Sequence, residues 1–160
     1  LILMEKRDYY KAFRISGKAI KAFENYVEKN PQDEIAWFRL AYIHEVRSDA
    51  PGVSEWKEAR EALEKALVLS PENSVYLLHL GYVYYRIGEL DKAQQTFQAI
   101  LDREPGNIEV RYYAALNYKK KGEPEKARTE LEYILKNEPK ESIVYRRAED
   151  EFIKLGGNVE

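Results

Sequence analysis

The stretch LGYVYYRIGELDKAQQTFQAILDREP, residues 80–105, decides the fold of this 160-residue chain. Gly88 divides it into two segments, and both carry apolar residues at steps of three and four, the spacing of one helix face. A glycine directly after a helical segment is typical of a left-handed C-cap, and a proline is common just beyond a helix end. The stretch therefore predicts two helices joined by a short turn, with Pro105 marking the end of the second.

Prolines with the same setting as Pro105 recur along the chain. Pro71, Pro105 and Pro139 are 34 residues apart, and Pro31 lies 40 residues before Pro71, which is the same period plus six. A fixed period of about 20–50 residues is the mark of a repeat architecture. The sequence therefore predicts stacked copies of one helical unit.

Residues aligned on these prolines agree from repeat to repeat. An alanine stands twelve residues before each proline and a large apolar residue stands eight before it. These positions share one helical stripe, so we expect them in the core. The aligned residues are Ala19, Ala59, Ala93 and Ala127, then Phe23, Leu63, Phe97 and Leu131, and, five before each proline, Tyr26, Ala66, Ile100 and Ile134.

The segment after each proline predicts another helix with its own stripe. A small residue lets two helix backbones approach closely, and an aromatic residue one turn later fills the space beside it. The aligned residues are Trp37, Leu77, Arg111 and Tyr145, then Leu40, Leu80, Ala114 and Ala148, then Ala41, Gly81, Ala115 and Glu149, and last His44, Tyr84, Tyr118 and Phe152.

These patterns resemble the tetratricopeptide repeat, a helix-turn-helix unit of 34 residues. We call the first helix of each unit A-type and the second, which ends at the proline, B-type. Arg111 stands where the family usually has Trp or Leu, and Glu149 replaces the small residue in the last A-type helix. The resemblance spans about residues 16–155 and is carried by Trp37-x2-Leu40-Ala41-x2-His44, Leu77-x2-Leu80-Gly81-x2-Tyr84 and Ala93-x3-Phe97-x2-Ile100-x4-Pro105.

The resemblance implies an all-α fold, an α-α superhelix formed as a right-handed solenoid of antiparallel helix pairs. It predicts three full units with flanking helices, and a charged last helix that caps the array. The predicted organisation is residues 1–15, an irregular N-terminal segment or helix; 16–33, a partial repeat whose B-type helix starts after Ser16 as N-cap; 34–73, a repeat with a six-residue insertion at 48–53; 74–107 and 108–141, two further repeats; and 142–160, a C-terminal capping helix and tail.

The insertion at 48–53 has two interpretations. Asp49, Pro51 and Gly52 are turn formers, so the segment is either a longer surface loop or a loop that reaches over a ligand.

Three tyrosines close together, Tyr82, Tyr84 and Tyr85, point to different faces of one helix because each residue turns the face by about 100°. Tyr84 occupies the core column, whereas Tyr82 and Tyr85 lie on a second stripe, which we call the groove stripe. In the first repeat the groove stripe begins with Ile35, Phe38, Tyr42, Glu45 and Val46. In tetratricopeptide repeats this stripe faces the concave side. The predicted partner-binding groove comprises Phe38, Tyr42, Leu78, Tyr82, Tyr85, Arg86, Tyr112, Leu116, Lys119 and Lys120.

An exposed aromatic patch with a basic edge favours a protein–protein interaction scaffold. We expect the partner to offer a peptide or helix with an apolar anchor and an acidic flank. Some family members clamp the carboxylate end of chaperone tails through Lys, Asn and Arg. That use is disfavoured here, because the corresponding positions hold Phe38, Tyr42, His79, Glu109 and Tyr113.

Three alternatives remain open. The groove side chains could pack on each other or on Tyr9, Tyr10 and Phe13 of the N-terminal segment. The chain could be a self-assembling structural array, a homo-oligomer that uses the same surface. It could also be the repeat domain of a larger multidomain protein or enzyme.

Residues that carry chemistry do not form a recognisable site in the sequence. The chain has no cysteine and two histidines, of which His44 occupies a core column and His79 has no ligand partner. We therefore predict no catalysis, no cofactor and no metal. With 26 basic and 28 acidic residues we expect no nucleic acid as partner. No apolar run predicts membrane insertion. The compartment is left open, with the cytoplasm slightly favoured over the periplasm.

Overall fold

The computed structural model describes the backbone of residues 6–158 and the side chains of residues 17–158. Within this range the regular elements are eight helices and no strand, which confirms the predicted all-α fold. The helices are α1 (Lys6–Lys29), α2 (Glu34–Ser48), α3 (Trp56–Leu69), α4 (Ser74–Ile87), α5 (Leu90–Leu101), α6 (Ile108–Lys121), α7 (Pro124–Asn137) and α8 (Ile143–Lys154).

The chain divides into two compact units, Leu1–Tyr76 and Leu77–Glu160. In the first unit α2 packs against both α1 and α3. In the second unit α6 packs against α5 and α7, and α8 packs against α7 and α6. The A-type helices α2, α4, α6 and α8 thus alternate along the chain with the B-type helices α1, α3, α5 and α7.

The helix ends follow the capping chemistry of the sequence. Asp33, Asn107 and Ser142 are the N-caps of α2, α6 and α8, and each side chain accepts a hydrogen bond from the amide three residues on, at 2.9, 3.1 and 3.0 Å. Gly88 and Gly122 follow α4 and α6 in the left-handed conformation, with φ of 86° and 79°. A side chain other than glycine is strained there.

The predicted start of the first B-type helix is wrong. Helix α1 runs without a break from Lys6 to Lys29, so Ser16 lies inside it and is not its N-cap. The side chains of Tyr9, Tyr10 and Phe13, which we considered as a plug for the groove, lie outside the described side chains.

The B-type stripe forms the core, as the alignment predicts. In α3, α5 and α7 the alanine column is fully buried, and the large apolar column is at most 1% exposed. In α5 these residues, Ala93 and Phe97, join Ile100, Leu101, Val110 and Ala114 in one hydrophobic cluster.

The small-residue column explains how closely the two helices of a repeat approach. A Cβ atom placed on Gly81 of α4 would lie 2.5 Å from the ring of Phe97 in α5. Phe97 is completely buried, so its ring has no room to retreat. Gly81 is therefore required by contact between the helices rather than by backbone conformation.

The second half of α4 differs from the prediction in detail. Val83 is fully buried, and the sequence analysis did not identify it. Tyr84, the predicted core tyrosine, packs against the α5 cluster but is only half-buried, and the Lys92 ammonium lies 5.4 Å from its ring centroid.

The unusual residue in the Trp column keeps the function of that column. Trp37 donates from Nε1 to the carbonyl of Pro31 at 3.0 Å. Arg111, at the equivalent position, donates from Nε to the carbonyl of Pro105 at 2.9 Å and stacks its guanidinium 3.7 Å from the ring centroid of Tyr133. Arginine thus supplies both the hydrogen bond and the flat surface that tryptophan supplies in the first repeat.

The six-residue insertion is fastened to α2 by a compact polar cluster. The carboxylate of Glu55 accepts from Arg47 at 2.6 Å and lies 2.8 Å from Nδ1 of His44. The Glu55 amide donates to the Ser48 hydroxyl at 2.7 Å. His44 is 6% exposed, so the predicted core position is confirmed, but it also anchors the end of the insertion.

The close approach at Gly81 can be tested by Gly81→Ala. We expect the free energy of unfolding to fall by about 1–3 kcal/mol, because overpacking against Phe97 outweighs the better helix propensity of alanine. Thermal and urea unfolding measure the change. Gly106→Ala is the control, since a Cβ there meets only the Tyr133 hydroxyl at 3.9 Å. Equal stability of both variants would contradict the explanation.

The Glu55 cluster predicts a pH-dependent contribution to stability. Partial burial raises the pKa of Glu55, but the hydrogen bonds from Arg47 and His44 outweigh it and hold the pKa below its usual value of 4.5. A carboxyl with a lowered folded-state pKa stabilises the protein above its unfolded pKa, and this contribution is lost as the pH falls through the folded value. We expect Glu55→Gln to lower the free energy of unfolding by about 1–3 kcal/mol at neutral pH. The difference from wild type should shrink below about pH 4.5.

The control for this pH series is Glu61→Gln. Glu61 is an exposed residue whose carboxylate lies 3.8 Å from Lys57. A Glu55→Gln difference that stays constant from pH 7 to pH 3 would show that the ionised carboxylate does not stabilise the insertion.

Candidate functional site

The predicted groove residues fall into both units. Phe38 and Tyr42 lie on α2 in the first unit, with ring centroids 6.5 Å apart. The Phe38 ring also stacks on Tyr76, at 4.8 Å between centroids. Tyr42 is 51% exposed, so its ring offers a face to solvent.

The other predicted residues lie in the second unit, on α4 and α6. Their centre is a cluster of four tyrosines, which we call the tyrosine cluster: Tyr82 and Tyr85 of α4, and Tyr112 and Tyr113 of α6. Ring centroids are 5.2 Å apart for Tyr82 and Tyr113, 5.7 Å for Tyr112 and Tyr113, and 6.5 Å for Tyr82 and Tyr85. All four are half-buried, so the rings support one another while part of each remains accessible.

Tyr113 is the member of the cluster that the predicted groove omits. Its ring stacks over Phe97, with centroids 6.4 Å apart, and so joins the cluster to the core. Burial, with the neighbouring Tyr82 and Glu109, raises the pKa of Tyr113 to about 12. Burial and then Glu151 raise the pKa of Tyr112. Both phenols therefore remain neutral hydrogen-bonding groups at any physiological pH.

A sequence signal for Tyr113 exists. Tyr113 shares its alignment column with Arg39, His79 and Arg147, one position beside the groove stripe. The accessible face of α6 is therefore one column wider than the stripe predicted from α4.

The predicted basic edge consists of cations with different partners. Arg86 donates to the Tyr82 hydroxyl and lies over the same ring, 5.5 Å from its centroid. Lys120 donates to the backbone carbonyl of Tyr85 at 2.8 Å and lies 4.6 Å from the Tyr85 ring centroid.

Lys119 differs because a carboxylate of α8 matches its charge. Its ammonium lies 2.5 Å from Glu151, which also binds Lys154 at 2.7 Å. Burial raises the pKa of Glu151, but the bonds from these two lysines hold it below its usual value. Among residues 17–158, Lys120 makes no ion pair, so its positive charge is the more available one.

Exposed aliphatic residues extend the groove stripe beyond the predicted list. Six of the nine large hydrophobic side chains that are exposed among residues 17–158 occupy groove-stripe columns of A-type helices. Glu45 is an exception on this stripe, because it is buried. Leu78 and Leu116 are half-buried, and Leu78 packs against the α5 cluster. The six exposed residues are Ile35, Tyr42, Val46, Val75, Ile143 and Ile153.

Other kinds of site were sought in the part of the chain that the structure describes. There, no group of three or more His, Cys, Asp or Glu residues is placed to hold a metal ion. No helix in the described range is both long and apolar enough to pass through a membrane.

Two curated proteins resemble part of the chain. A TPR repeat-containing protein of Methanocaldococcus jannaschii, MJ1428, is 30% identical over 83 residues, which are 52% of this chain and 14% of that protein. Protein NPGR2 of Arabidopsis thaliana is 29% identical over 93 residues, 58% of this chain and 12% of that protein. The chain thus spans less than a sixth of the length of these relatives.

Solved structures share the fold over most of the chain. TTC0263, a thermophilic TPR protein of Thermus thermophilus, has a TM-score of 0.74 at 21% identity, covering 89% of this chain and 75% of that one. The Yersinia enterocolitica type III secretion chaperone SycD, in complex with a peptide of the translocator YopD, has a TM-score of 0.64 at 18% identity, covering 75% and 89%. The first TPR of Spaghetti (RPAP3), bound to the HSP90 peptide SRMEEVD, has a TM-score of 0.66 at 15% identity, covering 78% and 91%.

Family models for the tetratricopeptide repeat match nearly the whole described chain. One matches residues 54–104 and 88–149, and a second matches residues 7–52. The matched segments include the residues on which the resemblance was first noted, and they extend it upstream to residue 7. The chain therefore belongs to the tetratricopeptide repeat family.

Proposed function

We propose that this chain is a protein-interaction scaffold whose groove stripe binds a peptide or helix of a partner protein. The observation that carries the proposal is the position of the exposed apolar residues. Most large hydrophobic side chains that face solvent in the described chain lie on the groove stripe of A-type helices rather than being scattered. Apolar surface that folding leaves in water is stabilised when a partner covers it.

The tyrosine cluster suits the centre of such a surface. Tyrosine offers a large contact area, has few rotatable bonds and keeps a polar tip that water can hydrate between binding events. Here the rings are already fixed by contact with each other and with Phe97. A surface ordered in advance loses less side-chain entropy when a ligand arrives.

The charges beside the cluster favour an acidic flank on the ligand. Lys120 lies against Tyr85 without an ion-pair partner among the described residues. The charge of Arg147 in α8 lowers the pKa values of Tyr112 and Tyr113 somewhat, against the larger effect of burial, which places this cation close to both rings. A carboxylate on the ligand would meet both cations near the aromatic anchor.

Two solved relatives support a peptide as ligand. The SycD and Spaghetti structures were both determined with a bound peptide. Since these relatives share only 15–18% of their residues with this chain, they support the class of ligand and not its sequence.

A second candidate concerns context rather than ligand. The chain covers 14% and 12% of its two curated relatives, which favours repeats that serve a larger multidomain protein. The groove would then bind either another domain of that protein or an external partner.

The proposal predicts selective peptide binding. A random peptide library displayed on phage, selected against the full chain, should yield peptides with an aromatic or aliphatic anchor next to Asp or Glu. We expect Tyr82→Ala to weaken a synthesised selected peptide by about 2 kcal/mol, about thirty-fold in affinity, as for an anchor contact. Ile143→Glu and Lys120→Glu should also weaken it. Calorimetric titration measures each affinity.

Matched controls keep chemistry constant and change position. Val68→Glu replaces another exposed aliphatic residue, 78% exposed, on the B-type helix α3. Lys136→Glu reverses an exposed lysine on α7. Both should bind like wild type, and melting temperatures identify any variant that has lost stability. Light scattering that shows concentration-dependent oligomers, lost in Ile143→Glu, would replace partner binding with self-assembly.

A further inference from the structure

Helix α1 has an open face where the other B-type helices have none. Five residues before the proline, Tyr26 of α1 is 46% exposed, whereas Ala66, Ile100 and Ile134 at the equivalent positions are completely buried. Phe23 is half-buried, whereas Leu63, Phe97 and Leu131 are at most 1% exposed. Ala19 is also half-buried, unlike its three fully buried counterparts. The core column of the repeat is therefore incompletely covered only on this helix among the four B-type helices described.

The opposite side of α1 is closed in the ordinary way. Ile20 and Val27 are 8% and 2% exposed, and α1 packs against α2. The open face thus does not result from a loosely attached helix. It is the second of two apolar faces, and only one has a partner within the described chain.

The other repeats show what normally covers this face. Phe97 of α5, the counterpart of Phe23, lies directly against Gly81 of α4, the A-type helix of its own repeat. Helix α1 has no A-type helix of its own within residues 6–158. The chemistry of the missing cover is therefore known from this same chain.

The open face borders a groove with mixed lining. The groove has a volume of about 540 Å³, and Phe23, Tyr26 and Ile35 contribute its large apolar surfaces. Its polar residues are Asp33 and Arg39. The Tyr26 hydroxyl donates to Asp33, which raises the pKa of Tyr26 and fixes the tip of the ring while one face stays open.

We propose that the open face of α1 binds an A-type tetratricopeptide helix from a separate partner polypeptide, with Gly or Ala where the helix crosses Phe23. Docking would complete a repeat between two proteins in the way that α4 and α5 complete one within this chain. The small residue is the recognition element, because a larger side chain would meet the Phe23 ring as a Cβ on Gly81 would meet Phe97.

The first residues of this sequence are too short to be the occupant. Five extended residues span at most about 18 Å. The helical rise places Phe23 and Tyr26 about 25–30 Å from Lys6, at the start of α1. Residues 1–5 could therefore not reach them while α1 is continuous.

A second copy of this chain offers no suitable helix either. Its α2 and α6 are packed between B-type helices, and its α4 lies against Phe97. Its α8 has Glu149 in place of the small residue, and the backbone at Gly157 lies against the Phe152 ring. A partner of different sequence is therefore required.

A synthetic helix tests the proposal. The probe is a fluorescein-labelled peptide with the sequence of residues 74–89 and two added lysines for solubility, titrated with the full chain. We expect saturable binding by fluorescence anisotropy. Affinity should fall at least ten-fold with the chain variant Phe23→Glu, and at least ten-fold when the peptide carries Gly81→Leu.

Controls separate this surface from the groove. The chain variants Val68→Glu and Tyr82→Ala should bind the probe like wild type, since neither touches α1. The proposed peptide-binding function could fail with these results unchanged, and the reverse also holds. Absence of saturable binding, or binding that is indifferent to Phe23→Glu, overturns the proposal.

Two further measurements identify other occupants. Concentration-dependent dimers in light scattering that disappear with Phe23→Glu would assign the face to a second copy. Tyr9→Cys with Tyr26→Cys, in a chain without native cysteine, would form an intrachain disulfide only if the N-terminal segment folds back. In a continuous α1 these positions are about 25 Å apart, whereas a disulfide needs Cα atoms within about 7 Å. Either result overturns the proposal.

Discussion

The close crossing of two helices over a small residue is the constraint on which each repeat depends. Phe97 fills the space directly above Gly81, and no side chain fits between them. Because this contact fixes how near the two backbones lie, it also fixes which columns of the A-type helix turn toward its B-type partner and which turn away. The groove stripe is what remains on the far side. Core and binding surface are therefore set by one contact, and a change at Gly81 would alter both.

Much of the fold could be predicted because repetition averages out local accidents. One proline, alanine or large apolar residue means little, but the same residue at a constant spacing identifies a column. The prediction failed where a residue lacks counterparts. Ser16 is a good N-cap by composition, yet α1 continues through it, and no second repeat was available to show the error. Val83 was missed because tyrosines surround it and attract attention, although a small β-branched residue fits the fully buried position better than Tyr84 does.

The candidate site was harder to predict because it depends on side-chain placement. Helical geometry gave the face of Tyr82, but not that Tyr113 would stack between it and Phe97. Charge likewise could be counted but not assigned. Lys119 and Lys120 are adjacent in the sequence, yet Glu151 matches the charge of the first, while the second contacts neutral groups of Tyr85. Such differences arise from which helix lies opposite each lysine, information that a single helix pattern does not contain.

The two ends of the described chain are treated differently, and this asymmetry follows from the same crossing constraint. At α8 a glutamate occupies the small-residue position, and Arg128 binds the carbonyl of Leu155, which holds the tail near the last helix. A further B-type helix could not approach such a surface closely. At α1 the residues needed for close packing, Phe23 and Ala19, are both present and incompletely covered. A capping helix replaces the packing residues with charge, whereas a helix meant to be covered retains them. By that criterion α8 has the chemistry of an end, and α1 has the chemistry of an interface.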